Sequence, residues 1–116
     1  MTRFASAASI PLLLCAGLTL AAQTSLGRYT LAPGEKKMVT LEATDQTKVG
    51  FTNEGSIEEA KRCRKTCIRM NVPGNMFLDA AAAMGTTMQI RPTNGKIEVQ
   101  FENLEAFPIT IEVFRE

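Results

Sequence analysis

Residues 58–70, EEAKRCRKTCIRM, hold the side chains with the most chemical capacity: Cys63 and Cys67, four apart, among Lys61, Arg62, Arg64, Lys65 and Arg69. Two cysteines at this spacing admit a disulfide, a soft-metal clip or a redox pair, and the five cations admit contact with an anion. Geometry divides the first two readings. Residues four apart on a regular helix have Cβ atoms about 5–6 Å apart, whereas a disulfide requires about 3.5–4.5 Å. A bonded pair therefore requires the helix to end or distort before Cys67. Arg64, Lys65 and Thr66 then form a tight loop, and Ile68, Met70 and Val72 share one face of a following strand. The chain-entropy model assigns such a loop about 2 kcal/mol.

If the thiols are free, Cys63, Cys67 and Met70 place two thiolates and a thioether along one face, a donor set that suits Cu(I). The chain contains no histidine, which removes the copper centres that need imidazole. Zinc would need carboxylate ligands for which no spacing appears. Redox catalysis is the third alternative, since the neighbouring cations would favour thiolates. The C-x-x-C at a helix start within a βαβ frame, usual in dithiol oxidoreductases, is missing. The fourth reading is a basic patch touching an acidic partner or a phospholipid head group; its bland counterpart is a solvated face partly neutralised by Glu58 and Glu59.

Subtraction disposes of the common catalytic constellations. Without histidine there is neither a Ser-His nor a Cys-His pair, and Glu58 and Glu59 are helix neighbours that point apart. The glycines of PGN and TNG make turns rather than a phosphate cradle. No enzyme is expected. Nucleic acid is excluded as a partner by composition, because there is one Tyr, no Trp, and no aromatic residue between Phe51 and Phe77 to stack a base.

The chain opens with MTRFASAASIPLLLCAGLTLAAQTS, in which Arg3 precedes an apolar stretch from about Ile10 to Leu20 and small residues at Ala21 and Ala22. This is the layout of a secretory signal peptide, residues 1–22, cleaved after Ala21 or Ala22. Retention as an anchor is the alternative, against which the stretch is shorter than the roughly 20 residues that span a bilayer. Cys15 lies inside the stretch, preceded by bulky Leu14, and reads as a signal-peptide hydrophobe. Without Arg3, twelve cations face twelve carboxylates, so no polyanion-coating role follows from charge. Residues 23–116 form one expected domain and hold two cysteines, whose default state in an oxidising compartment is a disulfide.

The elements that position the cysteines read as mainly β. Asn94-Gly95 suits a type I′ turn, and pairing outward sets Thr93 opposite Lys96, Pro92 opposite Ile97, Arg91 opposite Glu98, Ile90 opposite Val99 and Met88 opposite Phe101, one face apolar and the other wet. PITIEVF alternates as a last strand. GRYTL and KKMVTLEA flank a type II turn at Pro33-Gly34, and TKVGFT carries Val49 and Phe51 on one side. Ser56 and Glu59 form a capping box that starts a helix at Ile57, and MFLDAAAAMG reads as a second helix from its alanines, with Gly85 as its C-terminal cap.

The expected fold is a small antiparallel β-sandwich, immunoglobulin-like or similar, with one or two short helical insertions around 57–66 and 76–84. The expected function is an exported binding or accessory module, periplasmic or extracellular, stapled by Cys63–Cys67 and contacting another protein through a sheet edge or through Lys61, Arg62, Arg64, Lys65 and Arg69. No cofactor is expected for that module; the alternatives are a periplasmic Cu(I)-binding protein using Cys63, Cys67 and Met70, with copper as cofactor, and a self-assembling structural subunit of the envelope. A membrane surface is a further contact that the basic segment allows.

Overall fold

A computed structural model describes residues 23–116; the expected signal segment and Cys15 lie outside the described residues. The described residues form eight strands, most of them with alternating apolar residues: β1 Thr24–Leu31, β2 Lys36–Glu42, β3 Thr47–Asn53, β4 Ile68–Val72, β5 Asn75–Ala82, β6 Gly85–Ile90, β7 Lys96–Asn103 and β8 Ile109–Arg115. A short helix, α1 (Ile57–Lys61), interrupts them between β3 and β4. The strands form two antiparallel four-stranded sheets, ordered β1-β8-β3-β6 and β2-β7-β4-β5. Consecutive strands mostly fall in opposite sheets. This connectivity is that of a jelly roll, or double-stranded β-helix. The expectation of a small antiparallel sandwich is met, and the strand order specifies it as a jelly roll rather than an immunoglobulin arrangement.

Each strand turns alternate residues inward. Val49 and Phe51 of β3 and Ile111 and Val113 of β8 come from one sheet, and Ile68 and Met70 of β4 and Val99 and Phe101 of β7 come from the other; all are buried in one cluster. Phe51 and Phe101 meet edge to face across the sandwich at 5.8 Å between ring centroids, a favoured aromatic geometry. The last-strand reading of PITIEVF holds, with β8 central between β1 and β3.

Two expectations are corrected. The turn at Asn94-Gly95 forms, with φ of 55° and 79°, and Thr93 and Lys96 exchange backbone hydrogen bonds of 2.9 and 3.2 Å. The hairpin ends there. Ile90 pairs with Thr47 of β3, whereas Val99 pairs with Val39 of β2, so the pairs Arg91–Glu98, Ile90–Val99 and Met88–Phe101 do not exist. Pro92 donates no N–H to a ladder, and the two strands separate at it into opposite sheets. Alternation specifies which side chains face the core, and a corner between sheets satisfies it as well as a hairpin does. The APGE turn behaves alike: Glu35 N–H donates to Ala32 O at 2.9 Å with Gly34 at φ 76°, yet β1 and β2 part company.

The helix expected over 76–84 is a strand. Residues 75–82 are β5, paired with β4 from Ile68↔Ala82 to Val72↔Asn75, and Gly85 opens β6 instead of capping a helix. The helix preference of alanine over strand formers is a few tenths of a kcal/mol per residue, and ladder hydrogen bonds to β4 plus the half-buried face of Leu78, Ala80 and Ala82 override it. Asn53 pins the following corner, its amide nitrogen donating to Ala83 O at 2.8 Å and its backbone N–H to Met84 O at 2.7 Å.

At the end of β7 stands Asn103, fully buried. Its side-chain nitrogen donates to Leu31 O at 3.0 Å and Phe107 O at 2.8 Å, and its side-chain oxygen accepts from Glu105 N–H at 2.8 Å. Asn103→Ala strands two carbonyls and one N–H in a buried corner, a cost of about 2–4 kcal/mol. The expected outcome is a melting temperature lower by at least about 10 °C; a shift of under a few degrees would show that water replaces these bonds.

Candidate functional site

The cysteine segment lies at one end of the sandwich, between α1 and the start of β4. The Ser56 hydroxyl accepts from Glu59 N–H at 3.1 Å, and the Glu59 carboxylate accepts from Ser56 N–H at 3.2 Å, the reciprocal pair expected of the capping box. Only Ala60 of α1 is buried, so the helix has little packing to prolong it, and Arg62 closes it. Cys63 and Cys67 form a disulfide with their Cα atoms 5.2 Å apart. The helix therefore stops before Cys67, as a bonded pair requires, and Ile68 and Met70 follow on the inner face of β4.

The chain reverses sharply inside the loop. Thr66 and Cys67 have φ of 57° and 63°, and Ile68 N–H donates back to Thr66 O at 2.7 Å, an i to i+2 turn of the strained positive-φ kind centred on Cys67. A β-branched residue rarely occupies this region, so the loop must be held from outside. Glu105 does so. Its buried carboxylate accepts from Arg64 N–H and Lys65 N–H, both at 2.7 Å to the same oxygen. Leu104 N–H adds a bond to Cys67 O at 2.8 Å. The 103–108 turn and the disulfide loop thus brace each other.

The five cations named from the sequence do not act together. Lys61, Arg62, Arg64 and Lys65 are exposed at the loop end, where the Arg62 guanidinium lies 5.4 Å from the centroid of the Phe107 ring, a cation–π distance. Arg69 is elsewhere, on the outer face of β4, paired with Asp79 of β5 through two bonds, Nε to Oδ1 at 2.9 Å and Nη2 to Oδ2 at 2.5 Å. None of the ion pairs among the described residues includes Lys61, Arg62, Arg64 or Lys65. Beside the disulfide runs an open cleft of about 400 Å³, lined by Glu54, Glu59, Arg62, Cys63 and Phe107; Glu54 is itself paired with Arg28 at 3.6 Å.

The Cu(I) ligand set is not assembled. Both sulfurs are bonded to each other, and Met70 is fully buried in the core. No group of three His, Cys, Asp or Glu side chains suited to a metal occurs among the described residues. What sequence reasoning missed is Glu105. Nothing in ENLEAF marks it, because its role depends on a loop some forty residues earlier in the chain.

Asp79 is held below its ordinary carboxyl value of 3.8 by the hydrogen bond from Arg69, which is raised in turn. A folded pKa below the unfolded one adds stability that is complete above pH 3.8 and is lost as pH falls through the lowered value. Asp79→Asn should therefore melt below the wild type at pH 7, with the gap closing as pH drops beneath 3.8; a gap that persists at strongly acid pH would show that charge is not its origin.

No family model matches the chain, and no curated protein matches it. Among solved structures it is similar to a de novo designed double-stranded β-helix determined in solution by NMR, at 17% identity and a TM-score of 0.52, over 83% of this chain and 100% of that one. At that identity the likeness concerns the fold alone, and it agrees with the strand order described above.

Proposed function

We propose that this chain is an exported, non-catalytic binding module that presents the disulfide-closed loop to an acidic face of another protein. The observation that carries the reading is the role of Glu105. The Glu105 carboxylate is engaged by backbone N–H groups of the loop, and the side chains of Arg64 and Lys65 have no acidic partner among the described residues. A loop held by a covalent bond, a buried carboxylate and the Leu104 contact loses little further freedom on association, which favours affinity. Complementary charge would add rate and specificity.

Export is supported by the bonded state of Cys63 and Cys67, since disulfides persist in periplasmic or extracellular compartments, together with the signal-like layout of residues 1–22. Two of the four sheet edges favour the loop, rather than strand pairing, as the contact. The β1 edge carries a register shift between Ser25 and Gly27, the β2 edge carries Lys36 and Lys37, and bulges and lysines are the usual devices against edge-to-edge assembly.

The test combines processing and charge. Chain recovered from an exporting host should begin after Ala21 or Ala22 and should take up an alkylating reagent only after reduction; free thiols before reduction would sink the export reading. With poly-L-glutamate as an acidic probe, the triple variant Lys61→Gln, Arg64→Gln, Lys65→Gln should bind at least tenfold more weakly than the wild type, and added salt should erase the difference. Equal binding by both proteins would reject the loop as the contact.

A further inference from the structure

The opposite end of β4 carries a feature unrelated to the loop. After the Pro73-Gly74 turn, the β4–β5 register jumps from Asn71↔Asp79 to Val72↔Asn75, so Met76, Phe77 and Leu78 have no partner on β4. Such a bulge re-aims side chains. Leu78 packs back on the core, and Phe77 N–H is caught by the Asn75 side-chain oxygen at 3.1 Å. Met76 and Phe77 project 83% and 88% exposed, the highest values of any large apolar side chain among the described residues.

Area and charge indicate what covers them. The two side chains offer roughly 300–400 Å², well short of the roughly 800 Å² per partner in a stable protein interface. The bulge also breaks the edge on which a second copy would add a strand. Insertion into a bilayer scales with the apolar area entering it and with attraction to anionic lipids, and needs no shape-matched partner surface. Grooves of about 470 and 300 Å³ flank the tip, and Arg91 lines both while Lys96 lines one. Both cations are exposed and take part in no ion pair among the described residues. Glu98 shares one groove, and Asp79 at the tip is neutralised by Arg69.

We propose that the Pro73–Leu78 tip docks this protein onto a phospholipid surface, with Met76 and Phe77 entering the acyl boundary and Arg91 and Lys96 facing lipid phosphates. Apolar side chains at that depth and cations at the phosphate level are the usual division at a membrane interface. Cys67 immediately precedes β4 and Pro73 immediately follows it, so a docked molecule holds its disulfide loop away from the lipid. Docking by the tip does not require the disulfide loop to bind anything.

The chain has no tryptophan, so Phe77→Trp supplies a reporter confined to the tip, which an apolar N-terminal segment does not mimic. With vesicles of phosphatidylcholine and of an equimolar mixture with phosphatidylglycerol, the reporter's emission should shift to the blue and be quenched by brominated acyl chains. The double variant Met76→Ser, Phe77→Ser should partition at least tenfold less than wild type at an unchanged melting temperature. Arg91→Gln with Lys96→Gln should weaken binding severalfold on the anionic vesicles. An unmoved, unquenched reporter overturns the proposal, as does vesicle binding that is indifferent to the double substitution. A concentration-dependent dimer abolished by that substitution, with vesicles unbound, would assign the tip to a second copy and overturn it equally.

Discussion

The end of the sandwich that carries the disulfide depends on one buried polar corner, Asn103 with Glu105. Asn103 ties the end of β1, through Leu31 O, to the turn before β8, through Phe107 O. Its backbone accepts from Gly34 N–H at 3.1 Å and donates to Glu35 O at 3.0 Å, closing the β1–β2 corner as well. Glu105, placed by its N–H bond to Asn103, then extends the same network into the cysteine loop. A buried amide and a buried carboxylate are costly unless each is satisfied. Here the satisfaction of each requires the other segments to be in place, so three chain connections become a single cooperative unit.

That corner explains why a loop with two consecutive residues at positive φ persists. The disulfide joins Cys63 to Cys67, but a covalent bond alone leaves the orientation of Arg64 and Lys65 open. The Glu105 carboxylate orders their backbone N–H groups and directs their side chains to solvent. A charge-balanced region can thereby carry a local cationic surface: the twelve-against-twelve balance over residues 23–116 concerns totals, while the Glu105 carboxylate bonds backbone N–H groups of the loop rather than its cationic side chains. At the other end of β4 the same economy of means appears in apolar form, since a register jump of the ladder, rather than any extra element, lifts Met76 and Phe77 into solvent.

Local chemistry was legible wherever one short segment contained the whole determinant. Ser56 and Glu59 satisfy each other within four residues, and the capping box was readable. Asn94-Gly95 and Pro33-Gly34 determine their turns by allowed φ, and both turns form. The Cys63–Cys67 spacing already set a bond and a continuous helix against each other, and the bonded pair accompanies the chain reversal seen. Alternation in VGF, IEVQF and ITIEV marked inward-facing residues, all of which reach the core. Illegible were partners beyond the local window: Ile90 with Thr47 rather than Val99, and the alanines of β5 with β4 rather than with one another.

By itself, then, the sequence determined the two-fold alternation that makes a sandwich, the turns, the cap and the choice facing the cysteines, because each follows from sterics or hydrogen bonding within a few residues. Only the tertiary structure decided that strands beside a tight turn separate into opposite sheets, that an alanine-rich stretch extends along β4, that Arg69 is neutralised by Asp79 while Lys61, Arg62, Arg64 and Lys65 join no ion pair among the described residues, and that Glu105 braces the loop. Those outcomes depend on contacts between segments far apart in the chain. Burial and ladder hydrogen bonds outweigh local preferences there, and no single segment contains the competing terms.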